Sequence, residues 1–113
     1  MRAIREYLAP NGKCPFFEWL DQQSGMARLK VQAHVARLEQ GNFSNVRPVG
    51  GGVHEKRIDW GSGLRVYFAN DGKDLIILLA GSDKADQQRA ISQAMEYWND
   101  YKARKQGRPY ATD

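Results

Sequence analysis

The sequence lacks most of what would tie a fold together from outside. It has a single cysteine, Cys14, so no internal disulfide can form, and this absence argues for an intracellular, cytoplasmic protein. Two histidines, His34 and His54, beside that one cysteine form no cluster at metal-ligand spacing, so no metal is expected. No cofactor is expected either. The run Gly50-Gly51-Gly52 is not followed by the Lys-Ser/Thr of a phosphate loop and leads into a strand pattern rather than a helix. The longest apolar run, Leu75-Ile76-Ile77-Leu78-Leu79-Ala80, is far short of the roughly 20 residues a membrane helix needs, which excludes a membrane partner. The opening MRAIREYLAP carries arginines but no apolar segment after them, unlike a signal peptide. Acids are also in deficit, 13 against 17 Lys and Arg, for a formal charge of +4 and a pI near 9.4. That balance points weakly to a polyanionic partner such as nucleic acid, although a few surplus lysines also serve solubility.

What is present is enough for one domain of 113 residues with a thin core, 42% of the chain being hydrophobic. Residues 2–8 read as a strand, with Ile4 and Leu8 on one face, and Pro10-Asn11-Gly12 ends it. Pro15 opens a short helix over Phe16 to Gln23, proline being well tolerated at the first helical position. A second helix is predicted from Met26 to Gln40. Met26, Leu29, Ala33 and Ala36 form its apolar stripe, widened by Val31, Val35 and Leu38, and Gly41 stops it. Residues 42–51 read as a loop.

Three strands follow in quick succession: Val53 to Trp60, Leu64 to Ala69 and Asp74 to Ala80. Gly61-Ser62-Gly63 and Asn70-Asp71-Gly72 are the turns between them. The third, a continuous apolar run, reads as a central strand buried on both faces. A long helix follows, capped by Ser82 or Asp83, with Ile91, Ala94, Met95, Trp98 and Tyr101 at helical period and Lys102, Arg104 and Lys105 near its end. Gly107 to Asp113 read as a flexible tail after a single domain of residues 1–106. The order is β-α-α-β-β-β-α, an α+β domain with helices packed on one face of an antiparallel sheet.

Alternation in the strands carries the functional signal. Ile58 and Trp60, with Leu64, Val66 and Phe68, form one apolar face. Glu55, Arg57, Arg65 and Tyr67 gather on the other, on two neighbouring strands. Lys56 breaks the pattern by sitting with the apolar set. Arginine forks on rigid strands suit phosphate, and a neighbouring Glu or Tyr can move a proton. RNA carries its own nucleophile, the 2′-OH, so a nuclease of this kind needs only cations, a base and an acid. The same residues also suit a plain solvated face with cross-strand Glu–Arg pairs.

The stretch Gly52-Val53-His54-Glu55-Lys56-Arg57-Ile58-Asp59-Trp60-Gly61-Ser62-Gly63-Leu64-Arg65-Val66-Tyr67-Phe68 resembles the signature of the RelE/ParE superfamily of toxins, in its HigB-like, phage-related killer-protein branch. A second block is similar too: an apolar strand, Gly81-Ser82-Asp83-Lys84, Gln87, and a helix carrying Trp98 and Tyr101. The resemblance implies a RelE-like curved antiparallel sheet with a helical hairpin on one face and a C-terminal helix. It implies the toxin of a type II toxin-antitoxin system, an endoribonuclease that cleaves mRNA on the ribosome without a metal and is held inactive by a helix-turn-helix, HigA-like antitoxin. Members of the ParE branch inhibit DNA gyrase instead, and a phage-derived adaptor with the same fold and no activity is a third possibility. By the resemblance, Arg65 and Arg57 contact the scissile phosphate, and Glu55 and Lys84 complete the catalytic set. Tyr67, His54, Lys56 and Asp83 are then candidate substrate contacts. Asp83 and Lys84 stand where relatives often carry Tyr or His, and the general acid is left unassigned.

Overall fold

A computed structural model describes residues 1–111, with side chains through Gln106. Its elements are β1 (Ala3–Glu6), α1 (Pro15–Asp21), α2 (Gly25–Glu39), β2 (Val46–Gly50), β3 (Val53–Ile58), β4 (Leu64–Asp71), β5 (Leu75–Ser82) and α3 (Gln87–Ala111). They make a mixed α+β domain around a five-stranded sheet of order β1-β5-β4-β3-β2.

Two features of the sheet differ from expectation. It is not wholly antiparallel, because β1 joins β5 in parallel, Ala3 beside Leu75 through Glu6 beside Leu78. The expected loop at 42–51 also contains an edge strand. Val46 pairs with Lys56 and Arg47 with Glu55, and the register shifts between Pro48 and Gly50. Pro48 hid this strand from the sequence reading. At a sheet edge its missing N–H costs nothing, whereas in a central strand it would break the ladder.

The helices do not share one face. Phe16 and Leu20 of α1 and Ala27, Val31 and Leu38 of α2 pack with Ile58, Leu64, Val66, Phe68, Ile76 and Leu78. On the opposite face, Ala90, Ile91, Ala94 and Trp98 of α3 pack with Val53, Tyr67, Ala69, Ile77 and Leu79. The reason lies in β5, whose unbroken apolar run has to be covered from both sides. The α2 stripe is accordingly Ala27, Val31, Val35 and Leu38, while Met26 and Leu29 are 55% and 61% exposed. The expected period of α3 holds. It starts at Gln87 rather than at the cap of Ser82 or Asp83, because β5 runs on to Ser82. Its backbone continues through the stretch expected to begin a tail, and residues 112–113 of that stretch lie outside the described residues.

A bulge sets the geometry of β5. Tyr67 pairs with Ala80 but Phe68 with Leu78, so Leu79 is the extra residue. One added residue inverts the side-chain parity beyond it. Ser82 therefore turns toward Tyr67, and Gly81 turns under α1. A Cβ on Gly81 would lie 2.1 Å from Trp19 Cε3, so glycine is what lets α1 seat on the sheet. Gly52 does the same under α3: it has φ +85°, and a Cβ there would meet Trp98 Nε1 at 2.7 Å. Among the described residues no helix is long and apolar enough to cross a membrane.

Candidate functional site

The polar residues singled out on β3 and β4 do share a face. Glu55 lies opposite Tyr67, and Arg57 opposite Arg65. This is the face that α3 covers, and α3 covers only part of it. Tyr67 is wholly buried, its hydroxyl 3.0 Å from Ser82 Oγ, so it is a core residue rather than a substrate contact. Burial is the main cause that pushes its phenol up to about 12. Beyond the start of α3 the sheet opens into a cleft of about 410 Å³ lined by Asn45, Val46, Arg47, Glu55, Arg57, Arg65 and Gln87.

Glu55 is the centre of this cleft wall, at 2% exposure. Its Oε1 accepts from Arg47 Nε at 2.9 Å and its Oε2 from Gln87 Nε2 at 2.8 Å, with Arg65 Nε 3.7 Å away. Burial alone would raise its pKa. The donors from Arg47 and Gln87, with Tyr67, outweigh burial and hold the carboxyl below its ordinary value. A carboxylate closed to solvent and shared among these donors is a charge anchor, poorly suited to taking a proton from a substrate.

The arginines differ in how they are held. Arg65 has a buried side chain, 9% exposed, whose Nη1 donates to the Gly63 carbonyl at 2.8 Å. Its Nε is buried with no hydrogen-bond partner, 3.7 Å being too long for one. Arg47 reaches in from the edge strand and is 61% exposed. Arg57 is exposed, and its guanidinium has no partner among the described residues. Like charges directly opposite on neighbouring strands repel, and Glu55 on the same face offsets the Arg57–Arg65 pair. Lys84 is exposed and rooted beside Arg65: a Cβ on Gly63 would be 3.2 Å from Arg65 Nη1 and 3.8 Å from Lys84 Cβ.

Three expected contacts fall elsewhere. Asp83 is occupied locally, its Oδ1 accepting from Asp86 N at 3.1 Å ahead of α3. His54 and Lys56 lie on the opposite face of β3, as the period-2 alternation of a strand requires. The His54 ring stacks on Phe68 at 5.5 Å, and its Nδ1 is buried without a partner. Lys56 is buried and donates to the Ser44 carbonyl.

Three polar cleft residues have no functional signal in the sequence. Arg47 and Asn45 fall in the expected loop, because Val46-Arg47-Pro48-Val49 has no period-2 alternation and β2 takes its strand form only from pairing with β3. Gln87 stood in the second block with no role, because its contact with Glu55 spans 32 residues. Among the described residues no group of three or more His, Cys, Asp and Glu could hold a metal.

No family profile matches the chain. The chain is 42% identical over 80 residues to an uncharacterized protein of Haemophilus influenzae, an alignment that covers 70% of this chain and 81% of the other. The chain belongs to the same family as that Haemophilus influenzae protein.

Proposed function

We propose that the protein is a growth-inhibiting toxin of the RelE/ParE type whose Arg47–Arg57–Arg65 cleft binds an RNA phosphodiester and promotes its cleavage. The observation that carries this reading is the charge of the cleft. Three guanidinium groups surround one carboxylate that is already shared, so the wall keeps a net positive charge, and Arg57 is unspent. Planar guanidinium forks match pairs of phosphate oxygens, and Glu55 already orients those of Arg47 and Arg65.

In the proposed reaction the 2′-oxygen forms a bond to phosphorus, the bond from phosphorus to the 5′-oxygen breaks, and a cyclic phosphate remains. Arg57 and the exposed face of Arg47 stabilise the charge that grows on the non-bridging oxygens. Lys84, beside Arg65, donates a proton to the leaving 5′-oxygen. A base on the ribosome or in solvent takes the 2′ proton. Glu55 holds the arginines in place and stays ionised. The partners that belong with this reading are mRNA on the ribosome and a helix-turn-helix antitoxin, in the cytoplasm.

The test is induced expression of the wild type and of Arg57→Ala, with growth and RNA 5′ ends followed together. Arg57 is preferred over Arg65 because it is exposed, so its loss leaves the fold alone. The wild type should arrest growth and create discrete new 5′ ends. Arg57→Ala should lose both, by about 100-fold in cleavage rate, with its thermal midpoint unchanged. Growth arrest with intact transcripts and a DNA-damage response would overturn the nuclease and favour a gyrase-type target. No growth effect from the wild type would point to the inactive adaptor.

A further inference from the structure

Lys56 stands where strand alternation calls for an apolar residue, and it is 1% exposed. Its ammonium donates to the Ser44 carbonyl at 2.5 Å, and no carboxylate pairs with it among the described residues. Burial is the first cause lowering its pKa, and the nearby Arg37 adds like charge. An unpaired buried cation is costly, so a protein that keeps one is using its hydrogen bond for something.

That hydrogen bond fixes the loop between α2 and β2. Asn42 Oδ1 accepts from both the backbone N–H and the hydroxyl of Ser44. Lys56 takes the Ser44 carbonyl, and the Arg57 backbone N–H takes the next one, of Asn45, at 3.0 Å. Two consecutive carbonyls are thus pinned by two consecutive residues of β3. The result is Asn45 at φ +59°, a left-handed conformation that asparagine tolerates better than most residues, on the wall of the arginine cleft.

The Asn45 side chain is exposed and makes no hydrogen bond to a described residue. Its amide offers two donors and an acceptor, whereas the arginines offer only donors. The Gln87 amide in the same cleft is engaged by Glu55. Single-stranded RNA presents splayed bases whose edges a side-chain amide can address.

We propose that Asn45 is a specificity-determining residue that reads the edge of a base next to the bound phosphate, and that Lys56 is a positioning residue that sets Asn45 from the other side of the sheet. This rests on the reading of the cleft as an RNA phosphate site. Arg57 fixes where the backbone lies, and Asn45 then discriminates among bases at one position.

The test uses the full chain and four single-stranded RNA octamers, identical except for one central base and 2′-O-methylated so that they cannot be cleaved. Fluorescence anisotropy should give wild-type affinities that spread about tenfold across the four bases. Asn45→Ala should compress the spread to below about twofold and leave the salt dependence of binding unchanged, since no phosphate contact is lost. Lys56→Met, which keeps the buried stem and removes the ammonium, should compress the spread as well, although Lys56 touches no RNA. If Lys56→Met fails to fold, as judged by circular dichroism, Asn45→Ala and Asn45→Asp decide the matter. A wild-type protein that binds all four octamers equally, or an Asn45→Ala variant with the full spread, overturns the proposal. Arg57→Ala separates the two levels: unchanged affinity in that variant means that the phosphate site itself is misplaced.

Discussion

Replacing Glu55 with alanine removes the one carboxylate among three arginines, and the cost follows from the burial on each side. Glu55 is 2% exposed and the Arg65 side chain 9%, so their attraction acts well away from bulk water. At the observed 3.7 Å and an effective dielectric constant of about 20, it amounts to about 4.5 kcal/mol. Part of this is returned when the Glu55 charge no longer has to be desolvated, and the exposed Arg47 contact adds little. Gln87 loses its acceptor, worth about 1 kcal/mol. The net expectation is a loss of about 3 kcal/mol, the lower end of the range for removing one partner of a buried pair. Urea unfolding measures it, and a double-mutant cycle with Arg65→Met isolates the pair. The double variant should lose less than the two single variants together, by about 1–2 kcal/mol. Glu55 also makes stability depend on pH, through the donors from Arg47 and Gln87 that favour its charged form. The folded-state pKa of Glu55 is depressed, so its contribution is complete above the unfolded carboxyl value near 4.3 and is lost as pH falls through the folded value. Glu55→Gln should therefore flatten the fall in urea midpoint below about pH 4.3. A loss under about 1 kcal/mol in Glu55→Ala, with no coupling to Arg65, would refute the anchor.

Gly81→Ala drives a Cβ to 2.1 Å from the Trp19 ring, so α1 must shift, and the variant should lose about 3 kcal/mol or fail to fold in a thermal melt. His54→Phe puts an apolar ring on Phe68 and removes a buried unpartnered nitrogen, so it should be as stable as the wild type or more so, with RNA affinity unchanged. A drop in RNA affinity would return His54 to the site. Burial and the Asp100 contact raise Tyr7 to about 12, burial raises Tyr67 likewise, and burial also raises Tyr97, so ultraviolet titration should show at least three phenols ionising above the ordinary range near 10. Tyr7→Phe should remove one of them.

Local signals in the sequence were read well where they agree with the tertiary structure. Pro15 opens α1, and the expected turn between β4 and β5 is present but sits later, at Gly72-Lys73-Asp74, because Asn70 and Asp71 still pair with Ile76 and Leu75. The apolar run of β5 is an internal strand buried on both faces. They failed where a long-range partner decides. The β2 strand carries a proline and a glycine and has no strand identity apart from β3. Which stripe of α2 is buried depends on the sheet beneath it, so Met26 and Leu29 were assigned to a core they do not enter.

The face shared by Glu55, Arg57, Arg65 and Tyr67 was set by the sequence itself, because a strand has period 2 and the two strands are joined by a short turn. The same rule puts His54 and Lys56 on the other side, so the alternation itself separates them from the site. Only the tertiary structure decided which part of that face stays open. α3 crosses from a position far along the chain, buries Tyr67, and brings Gln87 to Glu55. The β2 edge brings Arg47 from eight residues away, and the buried Lys56 fixes the loop that carries Asn45. Contacts of this kind depend on how separate elements close in space, and no periodicity within one segment records them.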